Sequence, residues 1–302
     1  MIINKTSPFI LNETKNILFI INPISGTGKK KVIENLLLKV IKDKNIHYKI
    51  KYTEYPGHAY EIAKDSAEKK MFDIVVAVGG DGSVNEVSKG LIGSDVKMGI
   101  IPSGSGNGFA RHMGIPLKYD LAIKTVLKGN SVRVDTGLLD NNSFVGIAGV
   151  GFDAFISKKF DNANTRGFWT YFKLILMEYL RYEERKYTLE YNDKECSERA
   201  LIVSFCNSNQ WGNNAFVSPH SNIQDGVLRM VFIRKMPLLS VPCFAFRLFN
   251  KTVHKSKYFK EVKIKNCKVK QQDKLIHIDG EPIDYNSSFE INISPDSLSV
   301  VV

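Results

Sequence analysis

The chain has little cysteine, four residues in 302. Cys196, Cys206, Cys243 and Cys267 form no CxxC pair and no zinc spacing. They read as separate thiols of a reducing compartment, which excludes a disulfide scaffold. Acid is in deficit: 31 Asp plus Glu face 42 Lys plus Arg, for a net charge of +11. A long apolar run is missing too. The longest candidate, Met236 to Phe246, is broken by Pro237, Ser240 and Pro242, and it is far shorter than the ~20 residues of a spanning helix. No basic stretch followed by an apolar core and a small-residue cleavage site opens the sequence, so no signal peptide is expected. The expectation is a cytoplasmic protein that meets a membrane only from the surface.

What is present is an ordinary globular composition, 43% apolar and 24% charged, with length enough for two domains. The positive balance favours an anionic partner. It is concentrated at 251–270, where eight lysines face the single acid Glu261. A solvated lysine face and a surface that attracts anionic lipid both stay open there.

The first 133 residues alternate strand and helix. Asn16–Asn22 (NILFIIN) is a buried strand that runs into the turn-rich Ser25–Gly28. Lys29–Lys44 carries apolar residues at helical spacing, the pattern of an amphipathic helix. His47–Thr53 alternates like a strand, and Ala59–Lys70 reads as a helix. Asp73–Val78 (DIVVAV) and Lys97–Ile101 are buried strands, with a helix expected over Val84–Ile92 between them. This is βαβ patterning with a parallel sheet, and such sheets bind ligands at the carboxyl ends of their strands. Beyond residue 133 short strands follow one another: Arg133–Leu139, Ser143–Gly149, Tyr187–Tyr191, Ala200–Asn207, Val227–Ile233, Tyr258–Asn266, Leu275–Ile278 and Phe289–Ile293. Helical segments interrupt them near 154–184 and 237–254. A mainly antiparallel β domain is expected.

Two motifs fail on inspection. Pro23–Lys30 has Pro where a P-loop needs its first Gly, and Lys where it needs Ser or Thr. Gly149–Ala154 fits G-x-G-x-x-A but lies in the β-rich half, where a tight structural turn is the better reading. The segment Gly79-Gly80-Asp81-Gly82-Ser83-Val84-Asn85-Glu86 carries more information. Consecutive glycines permit positive φ and close approach to a ligand, and their N–H groups, with the following helix N-terminus, suit phosphate. A carboxylate at Asp81 inside an anion-binding loop is unfavourable unless a Mg²⁺ ion or a proton-transfer role compensates. Pro102–Gly108 (PSGSGNG) is a second small-residue loop, with polar groups at Ser105 and Asn107. Late in the chain, Asp279-Gly280-Glu281-Pro282 flanks a glycine with two acids. One could serve as general base and the other as orienting group; alone, the segment also fits a type I or II turn.

In this order, with Asn22-Pro23 and Gly26 ahead of them, GGDGSVNE, PSGSGNGFA and DGEP resemble the diacylglycerol kinase catalytic family, which includes sphingosine kinases and bacterial lipid kinases. NAD kinases share a related GGDG loop, but PSGSGN and DGEP fit lipid kinases better. The resemblance covers most of the chain and implies an α/β ATP-binding domain over 1–133, of NAD-kinase and diacylglycerol-kinase type, with 294–302 as its candidate last strand. It implies an antiparallel β-sandwich substrate domain over 134–293, with ATP in the cleft between them. Nucleotide contacts are implied at Asn22, Thr53, Gly79, Gly80, Asp81, Gly82, Ser83, Asn85 and Glu86, and at Ser103, Gly104, Ser105 and Asn107. Ser83 stands where threonine is commoner. Glu281 is implied as proton acceptor, Asp279 as its partner, and Asp81 as the aspartate associated with Mg²⁺ and catalysis. A family magnesium site resembles Asn222–Val227, with Asp225 the main ligand beside Asn222 and Val227; Gln224 and Arg229 depart from its more acidic pattern.

The activity this implies is transfer of the γ-phosphate of Mg-ATP to a lipid hydroxyl at the inner membrane surface. Diacylglycerol, a sphingoid base, phosphatidylglycerol and a polyprenol-type alcohol all offer one. A small-metabolite kinase of NAD kinase type is the second reading, and a silent binder of anionic lipid or nucleic acid the third. The acids Asp81, Asp279 and Glu281 argue against a silent binder. No nucleic-acid partner is expected, since the aromatics form no RNA-binding motif; homodimerisation stays open. Gly167–Arg185, rich in aromatic and aliphatic residues, fits a helix packed on the β domain, with a helix dipping into headgroups as the alternative.

Overall fold

A computed structural model describes residues 15–23, 30–41, 46–161 and 168–302. The turn-rich Ser25–Gly28, most of the P-loop-like Pro23–Lys30, and the side chains of 168–173 in the aromatic stretch lie outside the described residues.

The N-terminal half runs β1 (Lys15–Ile21), α1 (Lys30–Ile41), β2 (Ile46–Tyr52), α2 (His58–Lys69), β3 (Ile74–Gly79), α3 (Asp81–Leu91), β4 (Lys97–Pro102), α4 (Gly108–His112) and α5 (Tyr119–Lys128). The four strands pair in parallel, in the order β2-β1-β3-β4. Every residue of β3 is buried, as expected of a parallel strand covered by helices on both faces. α3 begins at Asp81, three residues before the expected Val84, so the acid belongs to the first helical turn.

The C-terminal half runs β5 (Ser131–Leu139), β6 (Asn142–Phe144), β7 (Ile147–Gly151), α6 (Phe152–Asp161), α7 (Phe168–Tyr179), β8 (Arg185–Tyr191), β9 (Lys194–Ala200), β10 (Ile202–Cys206) and β11 (Leu228–Ile233). It continues with α8 (Val241–Phe249), β12 (Phe259–Ile264), β13 (Asn266–Lys270), β14 (Leu275–Ile278), β15 (Glu281–Asp284) and β16 (Ser288–Val301). Short 3-10 turns at Leu238–Ser240 and Val253–Lys255 flank α8. The Gly149–Ala154 motif is the junction from β7 to α6, turned at Gly151 with φ 100°.

β16 is shared by both halves. Its first residues pair antiparallel with β13, and Val300 pairs in parallel with Met98 of β4. A bulge between Ser294 and Leu298, around Pro295, separates the two parts and removes the ladder donor that proline lacks. One ten-stranded sheet thus extends β2-β1-β3-β4-β16-β13-β8-β9, with β5 on β16 and β6 on β5. A second, six-stranded antiparallel sheet runs β12-β11-β10-β7-β14-β15. It packs on the antiparallel end of the large sheet through Phe144, Phe205, Tyr187, Ile276 and Phe289, which makes the expected sandwich.

Two expected single strands each prove to be two. Ser143–Gly149 divides into β6 in the large sheet and β7 in the small one. The bend falls at Val145–Gly146, whose N–H groups turn to the Asp279 carboxylate. Tyr258–Asn266 likewise divides into β12 and the start of β13, which lie in different sheets.

Candidate active site

The two glycine loops lie at the carboxyl ends of β3 and β4 and touch each other. The Ser103 N–H donates to Gly79 O at 2.8 Å. A Cβ on Gly104 would sit 2.5 Å from the Gly80 Cα. Close approach, not positive φ, is therefore what demands glycine here: Gly80 has φ −91° and Gly79 and Gly82 are not in the left-handed region. The second loop closes on itself through Asn107, which is itself left-handed at φ 51°. Its Oδ1 accepts from Gly104 N at 3.0 Å and its Nδ2 donates to Gly104 O at 2.8 Å. Ser105 is left exposed at the loop tip.

Asp81 joins the loops. Its carboxylate accepts the N–H of Asn107 at 2.8 Å and of Gly108 at 2.7 Å. Burial pushes this carboxyl above the usual range; the Gly108 and Asn107 N–H groups pull it back, and the charge of Asp279 adds to the rise. Its place in the first turn of α3 also favours negative charge. The sequence expectation for Asp81 was metal and catalysis; the contacts present are those of a loop anchor. Ser83 is buried over Gly79.

Asn22 and Thr53 close the neighbouring strand ends, with Asn22 N donating to Val78 O and Thr53 N to Ile21 O. Glu86, on α3, is engaged with the start of α2. It accepts the N–H of Gly57 and of Ala59, each at 3.0 Å. It thereby caps α2, whose own N-cap is a glycine.

The β14–β15 hairpin brings the remaining acids to the same place. Its two-residue turn, Asp279-Gly280, has φ 50° and 88°, and two positive values belong to the hairpin type I′, not to type I or II. Asp279 is fully engaged. Oδ1 accepts from Gly146 N at 2.8 Å and Ile147 N at 2.9 Å; Oδ2 accepts from Asn85 Nδ2 at 2.6 Å and Val145 N at 3.1 Å. Asn85, buried in α3, thus ties the glycine loop's helix to the hairpin.

Glu281 differs. Its carboxylate has no hydrogen-bond donor among the described residues, and Oε1 lies 2.9 Å from where a Cβ on Gly82 would be. The side chain opens to solvent on one side and is walled by protein on the other. Removal of water on the walled side raises its carboxyl; Lys89 lowers it, while Glu86, Asp279 and Asp161 raise it further.

The Asn222–Val227 segment does not fit a metal ion. Asp225 is paired with the Arg229 guanidinium at 2.6 Å, and Asn222 Oδ1 accepts the Gln224 N–H at 3.1 Å. Among the described residues no group of three or more His, Cys, Asp or Glu is placed to hold a metal. Arg229 is buried and carries a permanent charge, so a cation already stands at Asp225. The segment is held instead by Asp135, which accepts Gly226 N at 2.8 Å and Asp296 N at 2.9 Å.

Several residues of the site carry no sequence signal. Gly212 packs on Gly106, and Asn213 N donates to Gly106 O at 3.2 Å, so the 207–215 segment forms a wall of the second loop. His112 accepts Asn209 N–H at Nδ1, 3.2 Å away, and burial holds it below the ordinary histidine range. These partners are about a hundred positions apart, and nothing in local spacing joins them.

Comparison with known proteins agrees with this layout. The family model of the diacylglycerol kinase catalytic domain matches residues 16–139, and that of the YegS C-terminal NAD kinase beta sandwich-like domain matches 146–302. A Chromohalobacter salexigens protein named "Probable lipid kinase YegS-like" is 28% identical over 200 residues, 64% of this chain and 64% of that protein. The match thus spans just under two thirds of that relative. "Diacylglycerol kinase" of Bacillus subtilis is 27% identical over 277 residues, 88% of this chain and 90% of its own. A crystal structure of a diacylglycerol kinase from Bacillus anthracis superposes with a TM-score of 0.74 at 20% identity, covering 96% of this chain and 97% of that one. That likeness speaks to the fold.

Proposed function

From the premise that the chain belongs to the diacylglycerol kinase family, we propose that it transfers the γ-phosphoryl group of ATP to the hydroxyl of a lipid. The observation that carries this reading is the placement of Glu281 against Gly82: an acid that meets no hydrogen-bond donor among the described residues, on the rim of two interlocked glycine loops. Phosphoryl transfer asks little covalent chemistry of a protein; positioning and neutralisation of charge do most of it. The first N–H groups of α3, which follow directly on Gly79-Gly80, have no acceptor within the helix, and such a helix start suits phosphate oxygens. A divalent ion accompanying ATP supplies charge neutralisation at the phosphates, and no step is assigned to the Asp225 segment.

Glu281 accepts the proton of the attacking hydroxyl. A carboxyl raised by its surroundings is a better base than an ordinary one, provided it is ionised at the working pH. Asp279 and Asp81 are positioning residues, the first for the hairpin that bears Glu281 and the second for the loops that bear the nucleotide. The proposed setting is the cytoplasmic face of the membrane, with the chain as a peripheral protein.

The test is transfer of labelled γ-phosphate from ATP into a panel of diacylglycerol, sphingoid base, phosphatidylglycerol and polyprenol in mixed micelles. A labelled lipid, absent with Glu281→Gln, supports the reading and names the acceptor. Labelled NAD without labelled lipid replaces it with the small-metabolite kinase, and no transfer to any acceptor replaces it with a binding role.

A further inference from the structure

The outer face of the six-stranded sheet is covered by α6, α7 and α8, which share one apolar cluster with β10 and β11. α8 buries Phe244 in that cluster. It leaves Phe246 67% exposed and Phe249 49% exposed, and in the turn before it Leu239 is 96% exposed. A leucine that open touches almost nothing of its own protein. α7 leaves Leu176 and Met177, and Leu180 just beyond its end, half exposed or more. The two segments are fastened together: the Tyr179 hydroxyl donates to Met236 O at 2.7 Å and accepts Met236 N–H at 3.0 Å.

On the α7 side the acids Glu178 and Glu183 are paired with Lys159 and Lys235; along the α8 side the charge is of one sign. From Gly226 to Lys260 there is no Asp or Glu and there are eight Lys or Arg. Four of them are paired with Asp225, Glu183 or Glu198. Among the described residues no carboxylate partner is recorded for the other four, Arg247, Lys251, Lys255 and Lys257. Lys251 lies over the Phe216 ring at 4.6 Å and Lys257 over the Tyr258 ring at 5.2 Å, so two of these charges are seated on aromatic faces beside the helix.

We propose that the Leu238–Phe249 segment, with the exposed side of α7, is the surface by which this protein docks on an anionic lipid bilayer. Apolar side chains that project freely, bordered by uncompensated lysines, suit a fluid acyl layer beneath negative headgroups. A second copy of the chain would bring the same positive border against itself. The site's own architecture gives the docking a use. α6 packs on β15 and Lys158 bonds Asp284 at 2.5 Å, so the strand that begins with Glu281 is braced by the same helical layer. The use depends on the lipid-kinase reading; the docking does not.

The experiment is co-sedimentation with vesicles of phosphatidylcholine alone and of phosphatidylcholine with phosphatidylglycerol. Alongside it, phosphate transfer to a short-chain diacylglycerol in free solution is followed. Wild type should bind only the anionic vesicles, and more weakly as salt rises. Leu239→Asp should weaken binding about tenfold or more, and Lys255→Ala about fivefold. Both variants should keep the wild-type melting temperature and the wild-type transfer to the free acceptor. Equal binding to both vesicle types, no binding, or undiminished binding by Leu239→Asp would overturn the proposal. So would a dimer in wild type that Leu239→Asp dissolves without any vesicle binding. Vesicle binding without any transfer would leave the surface standing and remove the kinase reading.

Discussion

The glycine loop of α3 and the β14–β15 hairpin both set carboxylates among glycines, and they use them in opposite ways. In the loop, Asp81 is taken up by two N–H groups of the neighbouring loop. In the hairpin, Asp279 is taken up by four donors, while Glu281, two residues away, meets none among the described residues. A part-buried carboxylate held by several N–H donors is an anchor, since its geometry depends on keeping those bonds. An acid poised at a cleft without donors is free to take a proton. Residue type and motif position do not separate these roles; the donors do.

The largest effect that sharpens the contrast is on turnover. Glu281→Gln removes the proton acceptor and should lower turnover by roughly 10²–10⁴-fold, with the melting temperature unchanged. Asp279→Asn should lower turnover too, but through misplacement. The amide NH₂ would face N–H donors on one side, so the fold should lose about 1–3 kcal/mol as well, read by denaturant unfolding. Asp81→Asn should behave like Asp279→Asn and unlike Glu281→Gln.

A smaller effect concerns pH. The active form of Glu281 is ionised, and its carboxyl is raised, so kcat/KM should rise with pH through a limb above the ordinary glutamate value of about 4.3. The stability sign is opposite. A carboxyl raised in the folded state binds its proton more tightly there than in the unfolded chain. Its contribution is therefore present at low pH and lost as pH rises through the raised value, so Glu281→Gln should not weaken the fold at neutral pH. An acid limb that persists in Glu281→Gln would assign it to another group. The smallest expected effect is none: because Arg229 already pairs with Asp225, adding a chelator to the nucleotide-free protein should leave its melting temperature unchanged.

The parallel half is legible in the sequence because its strands are continuous apolar runs ending in glycine loops, as DIVVAV does before Gly79-Gly80. The antiparallel half is less so. β9 (KECSERA) is a charged edge strand with no apolar alternation, as edge strands often are. β6 and β7 read as one strand because the bend between them is fixed by an acid some 133 positions away. The site is legible as a set of motifs, since each is local. The division of labour within it is not, because Glu86 is occupied by α2, Asn85 by Asp279 and Asp225 by Arg229, all contacts that only the fold creates.

The most direct test measures turnover with the identified lipid and the melting temperature together, on Glu281→Gln and Asp279→Asn. The expected result is that Glu281→Gln loses turnover and keeps its melting temperature, while Asp279→Asn loses both. Full turnover in Glu281→Gln, or a fold as weakened as that of Asp279→Asn, would contradict the assignment of Glu281 as the free base and Asp279 as its anchor.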